Sequence, residues 1–180
     1  MKPFALAATT VAVALSVTIS AQKTTPMKAG SGGSDHIRTE WTIDGANISI
    51  EYGRPALKGR TPGKDIDPYE GKEWRTGADE QTTLKTDKPL KIGALSVPAG
   101  MYGLHTIPVK DQWQLIVSKR PAGWGIPYPA GQDLGRVPMT MGKTSAPVEK
   151  LTISVDDTAA GGALHIEWGA TKATVPFTVG

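Results

Sequence analysis

Residues 37–52 read Ile-Arg-Thr-Glu-Trp-Thr-Ile-Asp-Gly-Ala-Asn-Ile-Ser-Ile-Glu-Tyr, and this stretch indicates the fold. Large apolar side chains alternate with polar neighbours on both sides of Asp44-Gly45. Such a two-residue alternation places one strand face on a core and the other in water, as in antiparallel sheets. Asp-Gly between two such runs is a strong signal for a hairpin turn. The stretch therefore predicts two antiparallel strands joined by a tight turn.

The same alternation recurs along the rest of the chain, at residues 113–117, 151–155 and 164–168. The 21 glycines and 14 prolines suit a chain with many turns, and no stretch carries a helical apolar face of useful length. We therefore expect an all-β fold, an antiparallel β-sandwich or short barrel of about 8–10 strands. Two long segments, residues 54–80 and 122–147, lie outside the pattern and are predicted to be loops.

The beginning of the chain is typical of an exported protein. A basic residue at Lys2, an apolar run from about Phe4 to Val17 and a small residue at Ala21 predict a signal peptide over residues 1–21. The run is shorter than the ~20 residues of a membrane-spanning helix, so no membrane span is expected after cleavage. The mature protein is expected to be periplasmic or secreted.

The mature chain divides into two parts by composition. Residues 22–35 are rich in Gly, Ser and Thr and predict a flexible leader. Residues 36–180 carry the alternation and predict a single β-sandwich domain.

Charge and cysteine content narrow the classes of partner. The chain has 20 Lys and Arg against 17 Asp and Glu, a net charge of +3, and the signal peptide contributes one of these cations. So small an excess, without a basic stripe, predicts no nucleic-acid partner. The absence of cysteine excludes a disulfide framework, so the core alone must hold the domain together. Nothing in the sequence indicates a cofactor or a particular oligomeric state.

The first long loop concentrates cationic and aromatic side chains. Arg54 and Arg60 stand near its start, and Trp74-Arg75 follow near its end. The guanidinium fork matches anionic oxygens in bidentate fashion, and indole rings stack on flat ligand faces. We therefore expect these residues to bind a carboxylate, a phosphate or a sugar.

The arginines could instead hold the loop to the sheet through backbone carbonyls and internal acids. Glu149 shares the strand face of Leu151 and Ile153, so it is expected to point inward, where a carboxylate needs a partner. Arg54 or Arg75 would supply that partner, and the arginines would then be structural.

The second long loop carries Trp124 and Tyr128. These residues could form an aromatic platform beside the arginines. Alternatively, Trp124 caps the open end of the sandwich.

The three histidines are His36, His105 and His165. No two of them are spaced as a ligand pair, and His165 is expected to face solvent, so no metal site is predicted. His105 lies just before a proline at the end of a predicted strand. It is the candidate general base of a hydrolase-like enzyme, with Glu80 or Glu149 as the acid or orienting group.

Three segments carry a family pattern: Tyr52–Pro55 with Lys58–Arg60, Trp74–Ala78 and Pro98–Pro108. In these segments and their order, the chain from about residue 35 to residue 179 resembles a bacterial exported family known as domain of unknown function 2911. The resemblance implies an all-β exported protein and assigns no activity. Asp79 and Gln81 depart from the pattern, since the family commonly has Asn and Ala there, and Asp79 adds an acid beside the arginines.

The leading hypothesis is a binding module for a small anionic or glycan ligand, because function commonly lies in loops on a rigid scaffold. Two alternatives remain open, a hydrolase-like enzyme that uses His105 and a structural or assembly protein of the cell envelope. A carboxylate bonded to His105 in an open cleft favours the enzyme, and arginines bound to protein acceptors favour the structural role. The predicted ligand-binding residues are Arg54, Arg60, Trp74, Arg75, Trp124 and Tyr128.

Overall fold

The computed structural model describes residues 22–109 and 111–180. The predicted signal peptide, residues 1–21, lies outside the described residues. Within the described ranges the regular elements are strands, and no helix capable of crossing a membrane is found there. The strands are β1 (Lys23–Pro26), β2 (Asp35–Ile43), β3 (Ala46–Arg54), β4 (Thr82–Thr86), β5 (Leu90–Ile92), β6 (Leu95–Val97), β7 (Gly100–Val109), β8 (Gln112–Ser118), β9 (Asp133–Thr158) and β10 (Gly161–Val179).

The ten strands form one antiparallel sheet in the order β1-β2-β3-β4-β7-β8-β9-β10-β5-β6. The sheet is not closed, because β1 and β6 form its two edges. The β2–β3 hairpin turns at Asp44 and Gly45, whose φ angles of 47° and 73° are those that a type I′ turn requires. The prediction of an all-β antiparallel fold with this hairpin is confirmed.

The core lies where the sheet folds over itself. Alternate side chains of β2, β3, β4, β7 and β8 pack with those of β5, β9 and β10 in one apolar cluster. Tyr52 joins β3 to β9, since its hydroxyl accepts a hydrogen bond from the Ile153 N–H at 2.9 Å. Within the same cluster Trp74 stacks on Trp168, with ring centroids 5.7 Å apart, and makes a T-shaped contact with Trp113 at 6.4 Å.

Of the two predicted loops, the first is confirmed and the second is partly wrong. Residues 55–81, between β3 and β4, form a long loop that makes only isolated bridges, as predicted. The second prediction is wrong beyond residue 132, because β9 begins at Asp133 and continues to Thr158. Val137 and Met139 are buried in register with β8, and this burial sustains the strand in spite of Pro138 between them. The true loop between β8 and β9 is residues 119–132, which we call the 119–132 loop.

The segment predicted to be a flexible leader contributes an edge strand to the sheet. Lys23–Pro26 form β1 and pair with residues 37–40 of β2. The Met27 N–H then donates to the His36 carbonyl at 2.8 Å, which extends the ladder by one residue. All four β1 side chains are exposed, so no apolar alternation marked this edge strand in the sequence.

Strand β10 bends back on itself, and this bend corrects the prediction for His165. Nδ1 of His165 lies 2.8 Å from Oγ1 of Thr174, nine residues further on, whereas a straight strand would separate them by about 30 Å. Two register shifts between Glu167 and Thr171 mark the bend. His165 is therefore buried, with 6% of its surface exposed, and does not face solvent as expected.

Candidate functional site

Arg54 and Arg60, two of the predicted ligand-binding residues, bind the protein itself. Nε of Arg54 donates to the Leu151 carbonyl at 2.9 Å, and Nη2 donates to Oγ1 of Thr152 at 3.0 Å. Arg60 donates to the carbonyls of Leu57 and Ala56 at 3.0 and 2.9 Å, within its own loop. These contacts match the structural alternative, in which the guanidiniums hold backbone in place.

Trp74 lies inside the core and presents no free ring face to a ligand. Its side chain is buried against Trp168 and Trp113. Its backbone exchanges two hydrogen bonds of 2.8 Å with Thr106 on β7. Trp74 therefore anchors the first long loop to the sheet.

Arg75 and Trp124 form a contact at the surface. Nη1 of Arg75 donates to the Trp124 carbonyl at 3.0 Å, and the guanidinium carbon lies 4.7 Å from the centre of the indole. Trp124 remains 45% exposed, so it does not cap the open end of the sandwich. The pair fastens the 119–132 loop to the first long loop.

His105 is enclosed beneath the 119–132 loop. The side chain is fully buried, and its ring makes a T-shaped contact with the Tyr128 ring at a centroid distance of 5.0 Å. The Tyr128 hydroxyl donates to the Asp133 carboxylate, which also accepts from Nε of Arg136 at 2.8 Å. Burial lowers the pKa of His105 to about 4, so its imidazole is neutral at neutral pH. Burial and the neighbouring carboxylate raise the pKa of Tyr128.

The acids predicted to assist His105 lie elsewhere. Glu149 is exposed and does not point inward, and its Oε1 accepts from the Lys58 N–H at 2.9 Å. Glu80 lies beside His36, with Oε2 3.5 Å from Nε2 of that residue. Among the described residues no hydrogen bond joins either acid to His105, whose two ring nitrogens lack partners there. The predicted pairings of His105 with Glu80 or Glu149, and of Glu149 with an arginine, are therefore wrong.

A second cluster, which sequence reasoning missed, gathers at His36. Nε2 of His36 lies 3.5 Å from Oδ2 of Asp79 and 3.5 Å from Oε2 of Glu80. Asp79 is 5% exposed and takes a left-handed backbone conformation, with φ of 65°, which is uncommon outside glycine. Oδ2 of Asp79 also accepts the Ser34 N–H at 3.2 Å. The cluster thus joins β2, the end of the first long loop and the leader.

The glycines of the leader allow it to cover this cluster. A Cβ atom at Gly30 would lie 2.3 Å from Oδ2 of Asp79 and 2.4 Å from Nε2 of His36. Only a residue without a side chain fits at that distance. The glycines that predicted a flexible leader therefore allow its backbone to lie close to Asp79 and His36.

A cleft of about 530 Å³ opens beside the cluster. One of its lining residues, Gln81, carries a buried amide oxygen, Oε1, with no hydrogen-bond partner in the described part of the chain. Nε2 of His36 also makes no hydrogen bond there, but it lies within 3.5 Å of the carboxylates of Asp79 and Glu80. The lining residues come from the leader, β2, β3, the end of the first long loop, β4 and the 119–132 loop. They are Met27, Lys28, Ala29, Gly30, Ser31, His36, Glu51, Tyr52, Glu80, Gln81, Thr83, Ala122 and Gly123.

A second cleft of similar volume lies along β1 to β4, and two pairs of its polar side chains bind one another. Nδ2 of Asn47 donates to Asp87 at 2.6 Å, and Nζ of Lys23 lies 3.6 Å from the carboxylate of Glu40. The cleft at His36 is the stronger candidate because its wall holds an unpaired buried polar atom, Oε1 of Gln81.

Comparison with known proteins yields one family. The model described as "Protein of unknown function (DUF2911)" matches residues 34–177. No curated protein and no solved structure matches the chain. The matched range contains β2 to β9 and most of β10, and it leaves β1 and nearly all of the leader outside.

Proposed function

Because the chain belongs to the family of proteins of unknown function DUF2911, as its sequence pattern predicted, and that description names no activity, we propose a function from the cleft itself: a binding module for a glycan. The binding site is the cleft between the leader and the 119–132 loop. His36, Glu80 and Gln81 are its ligand-contacting residues.

The observation that carries the proposal is the unpartnered amide oxygen of Gln81 in the wall of the cleft. A buried donor or acceptor without a partner costs about 1–3 kcal/mol, so native proteins seldom retain one. Oε1 of Gln81 is in this state within the ranges that the structure describes, whereas Nε2 of His36 lies 3.5 Å from the carboxylates of Asp79 and Glu80. A ligand hydroxyl in the cleft would donate to Oε1 of Gln81 and exchange a further hydrogen bond with His36.

The charges of the cleft support a neutral hydroxylated ligand over an anion. Two carboxylates, Glu51 and Glu80, line the cleft against one lysine, Lys28, and the buried Asp79 lies 3.5 Å from Nε2 of His36. Glu51 is paired with Arg38, so Glu80 is the acid that a ligand would meet. Carboxylates accept hydrogen bonds from sugar hydroxyls, whereas they repel a phosphate or a carboxylate. Of the two ligand classes that the sequence suggested, the glycan is therefore retained. Arg54 and Arg60 are already bound to protein acceptors, so they do not supply an anion site.

A location outside the cytoplasm agrees with such a ligand. We propose that the protein, once exported, works in the periplasm or as a secreted protein, where envelope glycans are present. The support is the signal-like beginning of the sequence.

Saturation-transfer NMR on the purified protein tests the proposal. The probes are glucose and N-acetylglucosamine, with glucuronate and inorganic phosphate as anionic counterparts. We expect transfer to a neutral sugar and little to the anions. Glu80→Gln should reduce sugar affinity about tenfold, since a hydrogen bond to a charged group contributes ~1.5 kcal/mol. Glu149→Gln, which neutralises an exposed carboxylate outside the cleft, is the matched control and should bind as the unaltered protein does. Sugar binding that is absent, or indifferent to Glu80→Gln, would refute the proposal.

A further inference from the structure

Hydrogen bonds hold the first half of the 119–132 loop against the domain, whereas its second half also buries Pro129. The side-chain and backbone amides of Gln81 donate to the carbonyls of Arg120 and Gly123 at 2.7 and 3.0 Å. Arg75 donates to the Trp124 carbonyl and packs under its ring. Trp124 and Ile126 are both exposed at the tip of the loop. A segment held mainly by surface polar contacts can open while the core remains folded.

The residue that the loop covers is His105. Its imidazole is fully buried, and neither nitrogen finds a hydrogen-bond partner among the residues that the structure describes. Oε1 of Gln81, which holds the loop through its amide nitrogen, is unpartnered as well. These unpaired atoms destabilise the closed loop, because the hydration lost on burial is not replaced.

Gly125 is the point at which the loop, His105 and the cleft wall meet. Its φ is 75°, and a Cβ atom there would lie 2.9 Å from Cβ of Gln81, 3.1 Å from Cβ of Arg75 and 3.5 Å from Nε2 of His105. Gly125 therefore fills the space above His105. Lifting of the loop would join that space to Gln81, which lines the cleft.

We propose that the 119–132 loop is a lid over an inner subsite, in which His105 and Gln81 bind one hydroxyl group of the ligand. The inner subsite rests on the proposed function, since it extends the glycan cleft past Gln81. A neutral imidazole offers one donor and one acceptor, the amide oxygen of Gln81 offers another acceptor, and a hydroxyl group can both donate and accept. The carboxylates of Asp133 and Glu73 place negative charge near His105 and disfavour an anion. Burial disfavours a cation.

Chemical modification of His105 tests the lid. Diethyl pyrocarbonate carbethoxylates accessible neutral imidazoles, and peptide mass spectrometry assigns the rate to each histidine. Arg75→Ala removes the hydrogen bond and the stacking that hold Trp124, and the rate at His105 should rise about tenfold or more. The rate at the buried His165 serves as an internal reference for an intact fold. Arg60→Ala, which removes a guanidinium bound only to its own loop, is the matched control and should leave the rate at His105 unchanged.

Glycerol, which is small enough for the inner subsite alone, and N-acetylglucosamine test the ligand. Both should protect His105 of the Arg75→Ala protein from carbethoxylation. The lid would be overturned if the rate of carbethoxylation at His105 rose neither in Arg75→Ala nor in Trp124→Ala while His165 stayed unreactive. Failure of both probes to protect would overturn the subsite. Protection by glycerol without Glu80-dependent sugar binding would retain the subsite and reject the glycan proposal, so the two failures are distinguishable.

Discussion

The carboxylate of Asp79 lies 3.5 Å from Nε2 of His36, and backbone contacts hold the two groups together. The Ala78 N–H donates to the Gly53 carbonyl at 3.2 Å, which fixes the chain just before Asp79. Gly53 pairs in turn with His36 across the β2–β3 ladder. An uncommon backbone conformation such as that of Asp79 persists only where its surroundings enforce it.

Gly53→Ala should therefore destabilise the protein and disturb the His36 cluster. A Cβ atom at this position would lie 2.1 Å from the Ala78 carbonyl oxygen, a backbone atom that cannot move aside cheaply. We expect the free energy of unfolding, measured by urea denaturation, to fall by about 1–3 kcal/mol, as overpacking commonly does. Gly142→Ala is the control, because its nearest contact would be an ordinary 3.8 Å from the Lys172 carbonyl oxygen. Equal stability of the two variants would show that residues 77–79 can shift freely.

His105 should make the protein less stable in mild acid. The unfolded chain binds a proton at the ordinary histidine pKa of 6.5, whereas the folded protein binds it only near pH 4. As the pH falls through this window, the unfolded state gains protons that the folded state does not, so stability decreases. The pKa difference corresponds to a loss of about 3 kcal/mol by pH 4.

Urea denaturation at several pH values between 7 and 4 measures this effect. His105→Gln removes the titrating group, so the variant should lose less stability than the unaltered protein over that range, by up to about 3 kcal/mol. The quantity to compare is the slope of the unfolding free energy against pH, because the substitution also changes stability at neutral pH. Parallel pH profiles for the two proteins would contradict the prediction.

Arg54 and Arg60 should differ in their effect on stability, although both lie in the family pattern. Arg54 joins the end of β3 to β9 through two hydrogen bonds, and the side chain is partly buried. Arg54→Ala should lower the free energy of unfolding by about 1.5–3 kcal/mol, the range for hydrogen bonds to a charged group. Arg60→Ala breaks contacts within one exposed loop and should cost below about 1 kcal/mol. The structural assignment of Arg54 fails if its removal costs no more than that of Arg60 in the same urea titration.

The sequence predicted those parts of the fold in which local pattern and burial agree. The Asp44-Gly45 hairpin is one such part, because alternation and turn chemistry both point to it. Strand β1 was missed because all its side chains are exposed, and the first part of β9 because Pro138 interrupts an otherwise regular alternation. The alternation predicted that His165 faces solvent, which is wrong because alternation along a strand does not reveal where the strand bends.

The candidate site could not be read from spacing alone. Arg54, Arg60 and Arg75 are close in sequence, yet each donates to a different backbone carbonyl. Sequence spacing does not show which acceptor the folded chain brings within reach of each guanidinium. His36 and Asp79 lie far apart in sequence and meet only after β2 and the first long loop have packed. One sequence signal did point to the cleft, since Asp79 and Gln81 are the two positions at which the chain departs from the family pattern.

The leader over Asp79 also bears on how much of the cleft the members of the family can have in common. The family match begins at residue 34, yet Met27 to Ser31 build one wall of the cleft. A version of the protein trimmed to the matched range would keep the core strands and would leave Asp79 open to water. On the proposed function, this short stretch before the matched range would supply one wall of the binding site, so changes confined to it should alter ligand preference while the sheet stays the same.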